Sequence, residues 1–187
     1  MSNDKEPRNL EGIRRFLAEK RVCRVAVSTR APFRVMVNAA GYGQAHNEFT
    51  GAPDVAFQEG QPEQAYVADI RFLGVPDPVM TTADVMGFCQ QSGSRPITVR
   101  ELIALNTQFP DDPSIYTLPA LGTTFQREGK KYIAMSVDIP DIGGGIVEDQ
   151  QIRRAMRHGY RGFQRHLEIT EFDRTWPLLT IIPVVSL

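Results

Sequence analysis

One chemistry is concentrated between Gln151 and Leu167, a stretch with five arginines and no acid. Arg153, Arg157, Arg161 and Arg165 recur at every fourth position, with Arg154 beside the first. Ile152, Met156, Tyr160, Phe163 and Leu167 fall at the i, i+4, i+8, i+11 and i+15 positions of the same stretch. At about 100° per residue these apolar positions form one stripe and the arginines fan over the opposite side, so the spacing predicts an amphipathic helix. Guanidinium groups about 6 Å apart along such a helix can make forked hydrogen bonds to phosphate oxygens or carboxylates. Tyr160 or Phe163, if exposed, would add a surface for base stacking. The expected binding set is Arg153, Arg154, Arg157, Tyr160, Arg161 and Arg165, facing nucleic acid or an acidic protein surface. Two features weigh against it. Gly159 and Gly162 each weaken a helix by up to ~1 kcal/mol. Glu148, Asp149, Glu168, Glu171 and Asp173 lie close enough in sequence to neutralise part of the face, leaving an ordinary paired surface.

Phosphodiester chemistry is the sharpest catalytic alternative. Pro110-Asp111, followed after a gap by Glu128-Gly129-Lys130, resembles the Pro-Asp … Glu-x-Lys pattern of restriction-type nucleases. The resemblance implies that Asp111 and Glu128 hold Mg²⁺ or Mn²⁺ while Lys130 polarises the attacking water. Residues this short in pattern recur by chance, and Glu128-Gly129-Lys130 reads more readily as a hairpin turn. Asp138 and Asp141 form a second carboxylate pair, for which solvated loop acids are the preferred reading. His158 and His166 are about 12 Å apart along a helix, too far to share a zinc ion. His46 lies in a polar aromatic loop, and Cys23 with His46 is the one nucleophile–base pair the fold could assemble. Gly143 to Gly145 resemble a phosphate nest in composition, but no P-loop lysine follows, and Glu148 and Asp149 suit the helix start themselves.

No motif here fixes a reaction. The expectation is a non-catalytic binding or assembly protein with no cofactor. A small metal-dependent phosphodiesterase or nuclease using Mg or Mn is the alternative, and a homo-oligomeric structural protein a further one.

The chain that must position these residues has 42% hydrophobic and 23% charged residues and a net charge of −1, ordinary values for a globular domain without a global field for nucleic acid. Charge is uneven along it. Arg8 to Arg34 carries eight basic residues against Glu11 and Glu19, whereas Val35 to Ser94 has seven acids against Arg71. That asymmetry could steer a partner or drive head-to-tail self-association. Cys23 and Cys89 sit in isolated apolar settings and are expected as free thiols in a reducing, cytoplasmic compartment. The N-terminus lacks the apolar stretch of a signal peptide, and the apolar run Pro177 to Val185 is too short to span a bilayer, so no membrane partner is expected.

The elements read as α+β: one domain over 9–187 after a disordered lead at 1–8, with a largely antiparallel sheet built from hairpins and three or four packed helices. A helix is predicted from Asn9 to Lys20. A hairpin of strands at Val22–Ser28 and Phe33–Ala39 follows, then a long connection, Gly41–Glu63, and a third strand at Ala65–Leu73. A short helix opens at Thr81 or Thr82. Thr98-Val99-Arg100-Glu101 carries a capping box, with Ile97 stapling to Leu102. A second hairpin turns at Arg127-Glu128-Gly129-Lys130. Leu178 to Val185 closes the sheet, and Pro183 is expected to place that strand at an edge.

Overall fold

The computed structural model describes residues 22–42, 44–45, 65–74, 79–110, 117–140, 163–177 and 181–186. In chain order its elements are β1 (Cys23–Val27), α1 (Phe33–Ala39), β2 (Gln44–Ala45), β3 (Tyr66–Gly74), β4 (Val79–Thr81), α2 (Thr82–Gln91), β5 (Ser94–Pro96) and α3 (Val99–Gln108). Then come β6 (Leu118–Arg127), β7 (Lys130–Pro140), β8 (Phe163–Glu171), β9 (Thr175–Pro177) and β10 (Ile181–Ser186). The fold is α+β, as its sequence pattern predicts. One four-stranded sheet has the order β1-β3-β10-β5, a second has β2-β8-β7-β6, and β4 and β9 form a two-stranded ribbon. Every pairing is antiparallel except β2 with β8.

Helix α3 lies between the two larger sheets. Its residues Val99 to Asn106 are all buried, the burial of a helix enclosed on every side. Cys23, Val25 and Val27 of β1, Ala68, Ile70 and Phe72 of β3, and Leu118, Ala120, Ala134 and Leu167 of the second sheet join its apolar residues in one core. The helix starts where the sequence places it. The Thr98 hydroxyl accepts from the Glu101 N–H at 3.3 Å, and the Glu101 carboxylate accepts from the Thr98 N–H at 2.7 Å. Ile97 and Leu102 are fully buried in the same core. A second capping box, Thr81 with Asp84, opens α2.

A smaller core lies across β10. Val85 and Cys89 of α2 cluster with Leu121, Ile133, Trp176, Ile182 and Val184. Strand β10 is therefore covered on both faces, which explains why Ile182, Pro183 and Val184 are buried in succession.

Three expectations are corrected. Phe33–Ala39 is a helix, not the second strand of a hairpin. Phe33, Met36, Val37 and Ala40 follow the i, i+3, i+4, i+7 spacing of a buried helical stripe, while Val35 is 57% exposed. Strand β10 is interior, between β3 and β5. Pro183 fits there because the Ile97 carbonyl, which an N–H at position 183 would use, instead accepts from the Gly122 N–H at 2.8 Å. The helix predicted over Gln151–Leu167 is contradicted at its C-terminal end, since Phe163–Glu171 is strand β8. The predicted helix at 9–20, the 1–8 lead and nearly all of the 41–63 connection lie outside the described residues.

Candidate functional site

The buried polar groups hold the frame together. Glu101, whose side chain is 0% exposed, accepts two hydrogen bonds from the Arg95 guanidinium at 2.6 and 2.9 Å and one from the Tyr66 hydroxyl at 2.9 Å. With the Thr98 N–H this occupies both carboxylate oxygens. Burial pushes the Glu101 carboxyl upward, but Arg95, the Thr98 N–H and Tyr66 together outweigh it and hold the group below the usual carboxylate range. The same contact works in reverse on Tyr66, whose phenol burial and the adjacent carboxylate push up to about 12.

Arg100, 2% exposed, donates to the Ala31 carbonyl at 2.8 Å and lies 4.4 Å over the Phe33 ring, pinning the turn that leads into α1. Thr82 accepts from the Trp176 indole N–H at 2.9 Å and donates to the Phe172 carbonyl, tying α2 to the β8–β9 turn. Asn106, 0% exposed, donates to the Tyr42 hydroxyl at 2.6 Å and to Ser136 at 3.1 Å, joining α3 to the second sheet.

Three consecutive residues of β6 make the seam between the sheets. The β6–β7 register passes from Ala120↔Ala134 to Thr124↔Ile133, so Leu121, Gly122 and Thr123 bulge out of the ladder. Leu121 enters the smaller core, Gly122 donates to Ile97, and the Thr123 hydroxyl accepts from the Val99 N–H at 3.2 Å. The last contact satisfies an orphan donor in the first turn of α3.

Arg165 is on β8, 9% exposed, in register with Asp138 and on the face that carries Leu167. It points into the fold rather than along a helical cationic face. Arg153, Arg154, Arg157, Tyr160 and Arg161 lie outside the described residues, as do Asp111, Asp141, His46, His158 and Gly143 to Gly145. Glu128 and Gly129 are the two central residues of the β6–β7 hairpin, with φ of 52° and 78°. Positive φ at both positions is the type I′ pattern, which accounts for the glycine. Lys130 pairs with Glu171 of β8 at 2.6 Å, on an exposed surface. Beside it a groove of about 320 Å³ is lined by Gln126, Gly129, Lys130, Lys131, Glu171 and Asp173, whose mixed signs leave no focused field. Cys23 and Cys89 are buried in different cores and form no disulfide with each other. Among the described residues no three His, Cys, Asp or Glu side chains come close enough to hold a metal ion, and no helix is long and apolar enough to cross a membrane.

No family model, curated protein or solved structure matches this chain.

Among the contributors that the sequence does not signal are Tyr66, Asn106 and Gly122, which meet Glu101, Tyr42 and Ile97. Each acts through a contact distant in sequence, and none carries a local signature.

Proposed function

We propose that this is a non-catalytic binding or assembly protein, cytoplasmic, that presents a cationic segment to nucleic acid or an acidic protein surface. The observation that carries the reading is the connection between β7 and β8. These strands are antiparallel neighbours, with Pro140 in register with Phe163. Two residues suffice to close such a hairpin, as Glu128 and Gly129 do for β6 and β7. Here residues 141–162 intervene, and they include Arg153, Arg154, Arg157 and Arg161. A connection that long inside a compact domain is usually functional. The acids of this connection, Asp141, Glu148 and Asp149, all precede the arginines, and none occurs between Gln151 and Leu167.

The interior chemistry supports the same reading. Glu101, the most enclosed carboxylate described, has its oxygens filled by Arg95, Tyr66 and Thr98, which suits a positioning role. The cytoplasmic assignment rests on two buried cysteines that lie in separate cores and are not bonded to each other. The test is binding of the full chain to a short DNA duplex and, separately, to polyglutamate, each at low and high salt. Salt-sensitive binding to the duplex identifies nucleic acid, and preference for polyglutamate identifies an acidic protein surface. Binding to neither would end the proposal.

A further inference from the structure

Among the described residues strand β1 is an edge strand, and its outward pairing groups at Ala26 are occupied by a side chain. Its residues pair with β3 on one side, and among the described residues no strand pairs with the other. On that outer side the Ala26 N–H donates to Gln108 Oε1 at 3.1 Å, and the Ala26 carbonyl accepts from Gln108 Nε2 at 2.9 Å. One carboxamide thus makes the pair of bonds that an added strand would make. Gln108 ends α3 and is exposed, so it can swing away without disturbing the core.

We infer that the outer edge of β1 is a strand-addition site for a second copy of this chain, held closed by Gln108. The residue pattern favours self-pairing in one register. Val22, Arg24 and Ala26 all face outward, alternating with the buried Cys23 and Val25. In an antiparallel pair about a two-fold axis at Arg24, each Ala26 lies opposite Val22 of the second copy. Ala26 is already beside Val67 of β3. Val22 and Val67, 46% and 61% exposed, then come onto one apolar row across Ala26, once on each side of the axis. At the centre the two copies of Arg24 meet, but each is bound to its own Asp69 by bonds of 2.9 and 3.2 Å. The central row therefore alternates Asp69, Arg24, Arg24, Asp69 and carries no net charge. Residues with the parity of Ala26 turn their amides outward, so the Ala26 groups released by Gln108 meet those of Val22 in the second copy. A strand of this length covers little surface, so association is weak and concentration-dependent.

Sedimentation equilibrium of the full chain and of Gln108→Ala tests the plug. Both copies must release Gln108, so removing the carboxamide should tighten self-association about tenfold for each copy, about a hundredfold for the dimer, the equivalent of one net hydrogen bond per copy. Arg24→Cys, with Gln108 in place, tests the register independently. Mild oxidation should give a disulfide between the two position-24 residues. Val22→Cys should not cross-link to itself but should cross-link to Ala26→Cys in a mixture. Self-association of Gln108→Ala no tighter than the parent overturns the inference. So does the absence of these cross-links, or a pattern that does not follow this register.

Discussion

Replacing Gly122 by alanine tests the seam that joins the two sheets. A Cβ at this position would lie 2.6 Å from the Pro96 carbonyl oxygen, 2.8 Å from that of Ile97 and 2.9 Å from the Ile97 carbonyl carbon. All three are main-chain atoms, fixed by the β5–β10 pairing on one side and the α3 capping box on the other. They cannot retreat as a flexible side chain would. Overpacking of this kind costs about 1–3 kcal/mol. Separating the backbones also breaks the Gly122–Ile97 hydrogen bond of 2.8 Å. That loss adds about 0.5–1.5 kcal/mol. The reduced entropy of the unfolded alanine chain offsets about 0.4–1 kcal/mol, leaving a net destabilisation of about 0.5–4 kcal/mol, centred near 2 kcal/mol. Urea denaturation followed by the fluorescence of Trp176 measures it, because this single tryptophan is 2% exposed in the core that Leu121 enters. Gly87→Ala is the matched control. Gly87 lies within α2 with nothing within 4 Å of its Cβ position, so alanine there should stabilise by about 0.5–1 kcal/mol. If Gly122→Ala unfolds within 0.5 kcal/mol of the parent, or shifts in the same direction as Gly87→Ala, the close-approach argument is wrong.

Further outcomes follow from the start of α3. Thr98→Ala should lower stability by about 0.5–2 kcal/mol, and an unchanged denaturation midpoint would remove the capping box as a contributor. The Glu101 carboxyl is held below its ordinary value of 4.5, so its contribution is present above that pH and lost as pH falls through the lower folded value. Glu101→Gln should therefore cost about 1.5–3 kcal/mol at neutral pH and flatten the acid limb of the stability profile; an acid limb identical to the parent's would contradict the pairing. Tyr66 has the opposite sign. With its phenol raised from 10.0 to about 12, its contribution is complete below pH 10 and lost as pH rises towards 12. An ultraviolet titration should find one tyrosine ionising late, and Tyr66→Phe should remove that step.

Legibility in the sequence followed the range of the interactions. The Thr98–Glu101 box and the Glu128-Gly129 turn are settled within four residues, and both were readable. Strand β3 was readable because Ala68, Ile70 and Phe72 alternate with exposed positions. Two segments carried competing periods. At Phe33–Ala39 the alternation of Phe33, Val35 and Val37 suggested a strand, whereas burial follows Phe33, Met36, Val37 and Ala40. At Phe163–Glu171 the fourfold arginine spacing obscured a strict alternation in which Arg165, Leu167 and Ile169 share one face. Long-range backbone contacts decided the rest. Pro183 reads as an edge residue until the Gly122–Ile97 bond shows why its missing N–H is tolerated. Gln108 looked like a helix-end residue until the fold brought it to Ala26.

The central claim is tested most directly by replacing Arg153, Arg157 and Arg161 with glutamine and measuring binding to duplex DNA and polyglutamate across a salt series. Binding should weaken and its salt dependence become shallower, the log–log slope for duplex DNA falling by roughly 0.9 for each phosphate no longer neutralised by an arginine. Thermal stability should move little, because exposed substitutions usually stay within about ±0.5 kcal/mol. An unchanged affinity and slope, or a triple variant that loses stability because those arginines are paired internally, would contradict the claim.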